Sequence, residues 1–207
     1  MNVQEKIAET KLLPVIKLDR VEDAIPLAEA LTEGGLPVME ITFRTDAAED
    51  SIRAVSKALP GVLTGAGTVI TLEQVKRAHD AGAKYVVTPG ISVPVIEYCC
   101  RNNIPVYPGA CTPSEIIQVM EFGLDTVKFF PAAQYGGLPT VKALSAPFPS
   151  LKFVPTGGVS ESNLRDYLAF KKVVACGGSW MVKDDMIKAG DFKGIVSLVK
   201  EAVALTK

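Results

Sequence analysis

Apolar residues fall into short runs separated by longer stretches of helical period. Eight such runs stand out: Leu12–Leu18, Val38–Phe43, Val62–Val69, Tyr85–Pro89, Pro105–Gly109, Thr126–Phe130, Lys152–Pro155 and Val173–Cys176. Each is rich in Val, Ile, Phe or Thr and ends near Gly, Pro, Thr or a charge, which suits a strand buried on both faces of a parallel sheet. Between the runs the period lengthens to that of a helix. Val21, Ile25, Leu27, Ala28 and Leu31 share one face, and Gly34-Gly35 supplies the stop. Ile52, Val55 and Leu59 line up in the same way. Thr71 with Gln74 three residues on predicts a capping box, and Thr112-Pro113-Ser114-Glu115 predicts an N-cap followed by proline in the first turn. Ser160 and Asn163 are expected to open the seventh helix.

Eight strand-then-helix units without a linker predict an α/β chain folded as a closed, single-domain (β/α)8 TIM barrel over residues 1–207. Such barrels typically run to about 250 residues, so the loops here should be short. Residues 2–10 are expected to add an N-terminal helix across the bottom. A doubly wound sheet is the competing architecture, but no GxGxxG follows the first strand.

Composition narrows the function. Lys and Arg total 22 against 23 Asp and Glu, which argues against a basic nucleic-acid clamp and an acidic disordered tail. The N-terminus lacks the pattern of a secretory signal, and no apolar stretch approaches the length of a bilayer span. The four cysteines form no CxxC, and Cys99-Cys100 are adjacent, so reduced thiols in a cytoplasmic protein are expected. His79, the one histidine, lies in a polar helical stretch and reads as exposed and inert. No cofactor and no metal site is expected. Nucleic acid and membrane are not expected as partners.

The ends of the strands carry the chemistry. Met39, Ile41 and Phe43 share one parity and are apolar, so Glu40, Thr42 and Arg44 face the interior. A buried carboxylate must be paired, hydrogen-bonded or protonated. Glu40 therefore reads either as a general acid/base with Arg44 above it as an anion clamp, or as half of an internal ion pair. Val127 and Phe129 likewise turn Lys128 inward. An inward lysine among apolar neighbours suits a Schiff-base nucleophile, and pairing with Glu40 is compatible with that role. Thr68, at the end of Leu63-Thr64-Gly65-Ala66-Gly67-Thr68, is placed to donate to a carboxylate or to cap a helix. The last two strands end in Thr156-Gly157-Gly158 and Gly177-Gly178-Ser179, where glycine pairs let backbone N–H groups approach an anion, and the substrate is expected to carry a phosphate. Lys17 ends the first strand and is placed to add a cation there. Trp180 is expected to pack rather than touch substrate.

These residues resemble the 2-keto-3-deoxy-6-phosphogluconate aldolase family, which includes bifunctional 4-hydroxy-2-oxoglutarate aldolases. The resemblance rests on Glu40-Ile41-Thr42-Phe43-Arg44-Thr45, Gly65-Ala66-Gly67-Thr68, Thr88-Pro89-Gly90, Lys128-Phe129-Phe130-Pro131, Pro155-Thr156-Gly157-Gly158-Val159 and Gly177-Gly178-Ser179-Trp180, and spans nearly the whole chain. It implies a class I aldolase, usually a homotrimer, acting on a small 2-keto-3-deoxy acid phosphate. It implies Lys128 as the Schiff-base lysine and Glu40 as the proton-transfer residue. Arg44 and Thr68 would hold the substrate carboxylate, Pro89 would line the pocket, and Gly157, Gly158, Gly178 and Ser179 would hold the phosphate. The chain departs from relatives at Ala133, where many carry an acid, and at Lys17, where some carry Arg with its bidentate fork. Two rival functions are a phosphosugar isomerase or epimerase, and a phosphate-ligand sensor without turnover. The first would need an inward acid/base pair but no imine, and Lys128 between apolar neighbours argues against it; the second gains nothing from an inward lysine facing a glutamate.

Overall fold

A computed structural model describes residues 2–207. The strands are β1 Leu12–Ile16, β2 Val38–Thr42, β3 Leu63–Gly67, β4 Val86–Val87, β5 Val106–Tyr107, β6 Thr126–Phe129, β7 Lys152–Pro155 and β8 Cys176–Gly178. The helices are α1 Val3–Thr10, α2 Ala24–Glu33, α3 Ala48–Ala58, α4 Leu72–Asp80, α5 Val93–Arg101, α6 Pro113–Glu121, α7 Gly137–Ser145, α8 Leu164–Leu168, α9 Asp184–Ala189 and α10 Phe192–Ala204. Capping boxes start α4 at Thr71/Gln74 and α6 at Thr112/Glu115, with Pro113 in the first turn of α6. A third, Asn2/Glu5, starts α1. None of the helices described is long and apolar enough to cross a membrane.

The closed eight-strand barrel is corrected. The parallel strands divide into a six-stranded half-barrel, ordered β5-β4-β3-β2-β1-β8, and a separate β6-β7 pair. Only isolated bridges join them: Gly109 with Lys128 on one side, and Phe153 with Val173 and Thr156 with Gly177 on the other. Each seam borders a short strand. β5 has two residues and β8 three, and Pro108, just past β5, has no N–H to give a ladder. From β1 to β5 the order never reverses, so the doubly wound alternative has no switch point here.

Strand alternation sorts the apolar residues into two clusters. One lies between sheets and helices and includes Leu12, Ile16, Met39, Ile41, Ala66, Val86, Val127 and Phe129. The other lies on the inner side, where Leu13, Val38, Tyr85, Val87, Tyr107 and Val154 pack together under Ile7 of α1. The inner cluster draws residues from both sheets. Burial of these side chains stabilises by roughly 1.5–3 kcal/mol each.

Candidate active site

Glu40 and Lys128 belong to the inner parity of β2 and β6, and both are buried, at 0% and 4% exposure. Lys128 Nζ donates to Glu40 Oε1 at 3.4 Å. Glu40 Oε2 is buried and has no hydrogen-bond partner among the described residues. An ion pair this dry is costly to form, and an open carboxylate oxygen beside an amine is suited to moving protons. Glycine makes the space. A Cβ on Gly67 would overlap Glu40 Oε1, and one on Gly65 would overlap the Tyr85 ring. Tyr85 forms the floor, donating its hydroxyl to the Met39 carbonyl at 2.8 Å. Burial, reinforced by the nearby Glu40 charge, pushes the Tyr85 phenol well up. The Lys128 ammonium also stands 5.1 Å from the centre of the Phe130 ring, a cation–π contact that strand parity did not announce.

Arg44 lies just past β2, exposed, and donates from Nε to Thr42 Oγ1 at 3.0 Å. Thr42, buried, donates in turn to the Ile16 carbonyl at 2.8 Å. Arg44 makes no salt bridge among the described residues, so its terminal nitrogens are left for an anion. Thr68, one residue beyond β3, has φ +55. That left-handed conformation is an outlier for a β-branched residue. The helix cap nearby is Thr71, not Thr68. Pro89 follows β4 in a turn tied by Thr88, whose hydroxyl donates to the Gly90 carbonyl at 2.6 Å and accepts from Gly109 N–H at 3.3 Å.

The glycine loops come together through the β7–β8 bridge Thr156–Gly177. Thr156 is buried, and a Cβ on Gly177 would overlap its hydroxyl. Gly157 and Gly158 take φ +90 and +77. The N–H groups of Gly157, Gly158, Val159 and Ser179 donate to nothing among the described residues. Successive unpaired N–H groups form an anion-binding concavity. Trp180 packs its ring against Gly178, as the sequence suggests.

Lys17 is less free than expected. Its Nζ sits 2.7 Å from Asp19 Oδ1, and Asp19 Oδ2 takes Lys188 at 3.0 Å. Hydrogen bonds from the two lysines hold the Asp19 carboxyl below its usual range. Neither Asp19 nor Lys188 was flagged by the sequence, because Lys188 reaches this strand end only through the fold. His79 is exposed on α4 with Nδ1 3.1 Å from Tyr98 Oη. No cluster of three His, Cys, Asp or Glu suited to a metal ion occurs among the described residues.

The fold and site together define a parallel α/β protein with a buried amine–carboxylate pair on the inner side of β2 and β6 and a loop of unpaired N–H groups after β7. A family model for KDPG and KHG aldolases matches residues 3–198. A 2-dehydro-3-deoxy-phosphogluconate aldolase of Haemophilus influenzae is 45% identical over 203 residues, covering 98% of this chain and 96% of its own. One of Treponema pallidum is 43% identical over 205 residues, covering 99% and 98%. A crystal structure of KDPG aldolase from Legionella pneumophila, with pyruvate captured at low pH as a covalent carbinolamine intermediate, superposes with a TM-score of 0.93 at 38% identity, covering 97% of each chain. The chain belongs to the KDPG/KHG aldolase family.

Proposed function

We propose that this enzyme is a class I aldolase that cleaves 2-dehydro-3-deoxy-6-phosphogluconate to pyruvate and glyceraldehyde 3-phosphate, and 4-hydroxy-2-oxoglutarate to pyruvate and glyoxylate. The observation that carries the reading is the buried contact of Lys128 Nζ with Glu40 Oε1. With Glu40 taking its proton, the Lys128 amine attacks the C2 ketone and forms a carbinolamine. Glu40 returns that proton to the carbinolamine hydroxyl, which leaves as water, and a protonated imine remains. Glu40 removes the C4 hydroxyl proton. The C3–C4 bond breaks, its electrons flow into the imine, and the aldehyde departs. The enamine is then protonated at C3, and hydrolysis frees pyruvate and the lysine. Arg44 and Thr68 hold the substrate carboxylate, Pro89 lines the pocket, and Thr156, Gly157, Gly158, Gly178 and Ser179 receive the phosphate with Lys17 nearby. This positioning fixes the ketone against the amine. The carbinolamine in the Legionella relative supports the imine route.

The reading extends to a cytoplasmic homotrimer in the Entner–Doudoroff pathway. Exposed large apolar side chains such as Ile70, Leu72, Ile117 and Met120 support subunit contacts. The test of activity is pyruvate release from 2-dehydro-3-deoxy-6-phosphogluconate, its C4 epimer and 4-hydroxy-2-oxoglutarate, with and without EDTA. Pyruvate from the first and the third, undiminished by EDTA, is expected. Pyruvate from none of the three, or activity lost to EDTA, would contradict it.

A further inference from the structure

We infer that Asn163 is a positioning residue that holds the anion loop after β7 in its binding form. The inference rests on the reading of that loop as the phosphate end of the aldolase site. The loop's first residues are pinned from outside: the Thr156 carbonyl accepts from Ala132 N–H at 2.8 Å, and the Gly157 carbonyl accepts from Ala133 N–H at 3.0 Å. Beyond them the chain passes through Gly158, whose left-handed φ of +77 leaves it the widest backbone freedom to lose. The next two ties both come from one carboxamide. Asn163 Nδ2 donates to the Gly158 carbonyl at 2.9 Å, and Asn163 Oδ1 accepts from Ser160 N–H at 2.9 Å.

Asn163 occupies the N-cap position of α8, yet its side chain makes no cap hydrogen bond to the helix. An N-cap asparagine ordinarily accepts from a helix N–H. Here the group is turned back onto the loop, and both of its hydrogen-bonding functions are spent there. The Gly158 carbonyl and the Ser160 N–H are thus engaged, and the Gly157, Gly158 and Val159 N–H groups between and beside them are the ones without partners. A carboxamide alone supplies a donor and an acceptor at this separation. Aspartate keeps the acceptor, loses the donor and sets a negative charge beside an anion site. Alanine keeps neither.

The test compares N163A and N163D with the unsubstituted enzyme on a phosphorylated and an unphosphorylated substrate, and follows inorganic phosphate binding by 31P line broadening. Two lost hydrogen bonds in the loop should raise KM for 2-dehydro-3-deoxy-6-phosphogluconate about tenfold in N163A, with kcat within about twofold. KM for 4-hydroxy-2-oxoglutarate should stay unchanged, and phosphate affinity should fall by the same factor as the KM rise. N163D should lose more, from charge repulsion. A merely structural role predicts equal losses on both substrates. That result, or undiminished phosphate binding in both variants, would overturn the inference. If the unsubstituted enzyme cleaves neither substrate, the aldolase reading fails. The phosphate titration still judges Asn163, because it needs no turnover.

Discussion

Glu40 and Lys128 meet in a place where neither can turn to water, so each is expected to be costly without the other. Removing one partner of a buried pair costs about 3–5 kcal/mol, because the remaining charge is left uncompensated. Replacing Lys128 by methionine should therefore lower stability to urea by about that amount. Adding E40Q to K128M should recover most of it, because a neutral amide beside a thioether leaves no buried charge. E40Q alone keeps the amine and removes the proton carrier, and its kcat should fall by about 10²–10⁴-fold. Urea titrations of the three variants with steady-state pyruvate release check both halves. Full additivity of the two stability losses would deny the pairing.

Among elements, the β6-β7 pair is a sheet of its own, and only isolated bridges tie it to the half-barrel. Its lower end is tied by Lys152, at the start of β7, donating at 2.9 Å to Asp125 just before β6. Thr126 donates to the other Asp125 oxygen at 2.8 Å. Burial alone would raise the Asp125 carboxyl, but the bonds from Lys152 and Thr126 outweigh it and leave the group below its ordinary value of 3.8. A carboxyl depressed in the folded state adds stability above its unfolded value, and that stability is lost as pH falls through the folded value. The melting temperature of the protein should thus exceed that of D125N at neutral pH, with the gap closing as pH is lowered below 3.8. A gap that is constant or widens in acid would contradict this. Both groups are about half exposed, so the effect should be small and salt-sensitive.

At the scale of the whole molecule, alternation along the strands was enough to turn Glu40, Thr42 and Lys128 inward, and all three are buried there. Two of the helix starts were legible because capping boxes are local: Thr71 reaches only to Gln74, and Thr112 only to Glu115. The division of the sheets was not legible. Whether β5 meets β6 in a ladder or in one bridge at Gly109–Lys128 depends on register between separate strands, and a count of apolar runs does not carry register. Asn163 was read as a helix opener because its type and position fit a cap. Its side chain turned the other way once the Gly158 carbonyl lay within reach. The Lys17–Asp19–Lys188 contact joins β1 to α9 and exists only after folding. What the fold brings together most tellingly is the amine of Lys128 against a carboxylate from a different sheet, and the imine it is proposed to form can be trapped. Incubation with pyruvate and sodium borohydride, followed by intact-mass and peptide mapping, should give one reduced pyruvate adduct per chain, on Lys128, and inactivate the enzyme. A protein that stays unmodified and active after this treatment, or that carries the adduct on another lysine, would contradict the account.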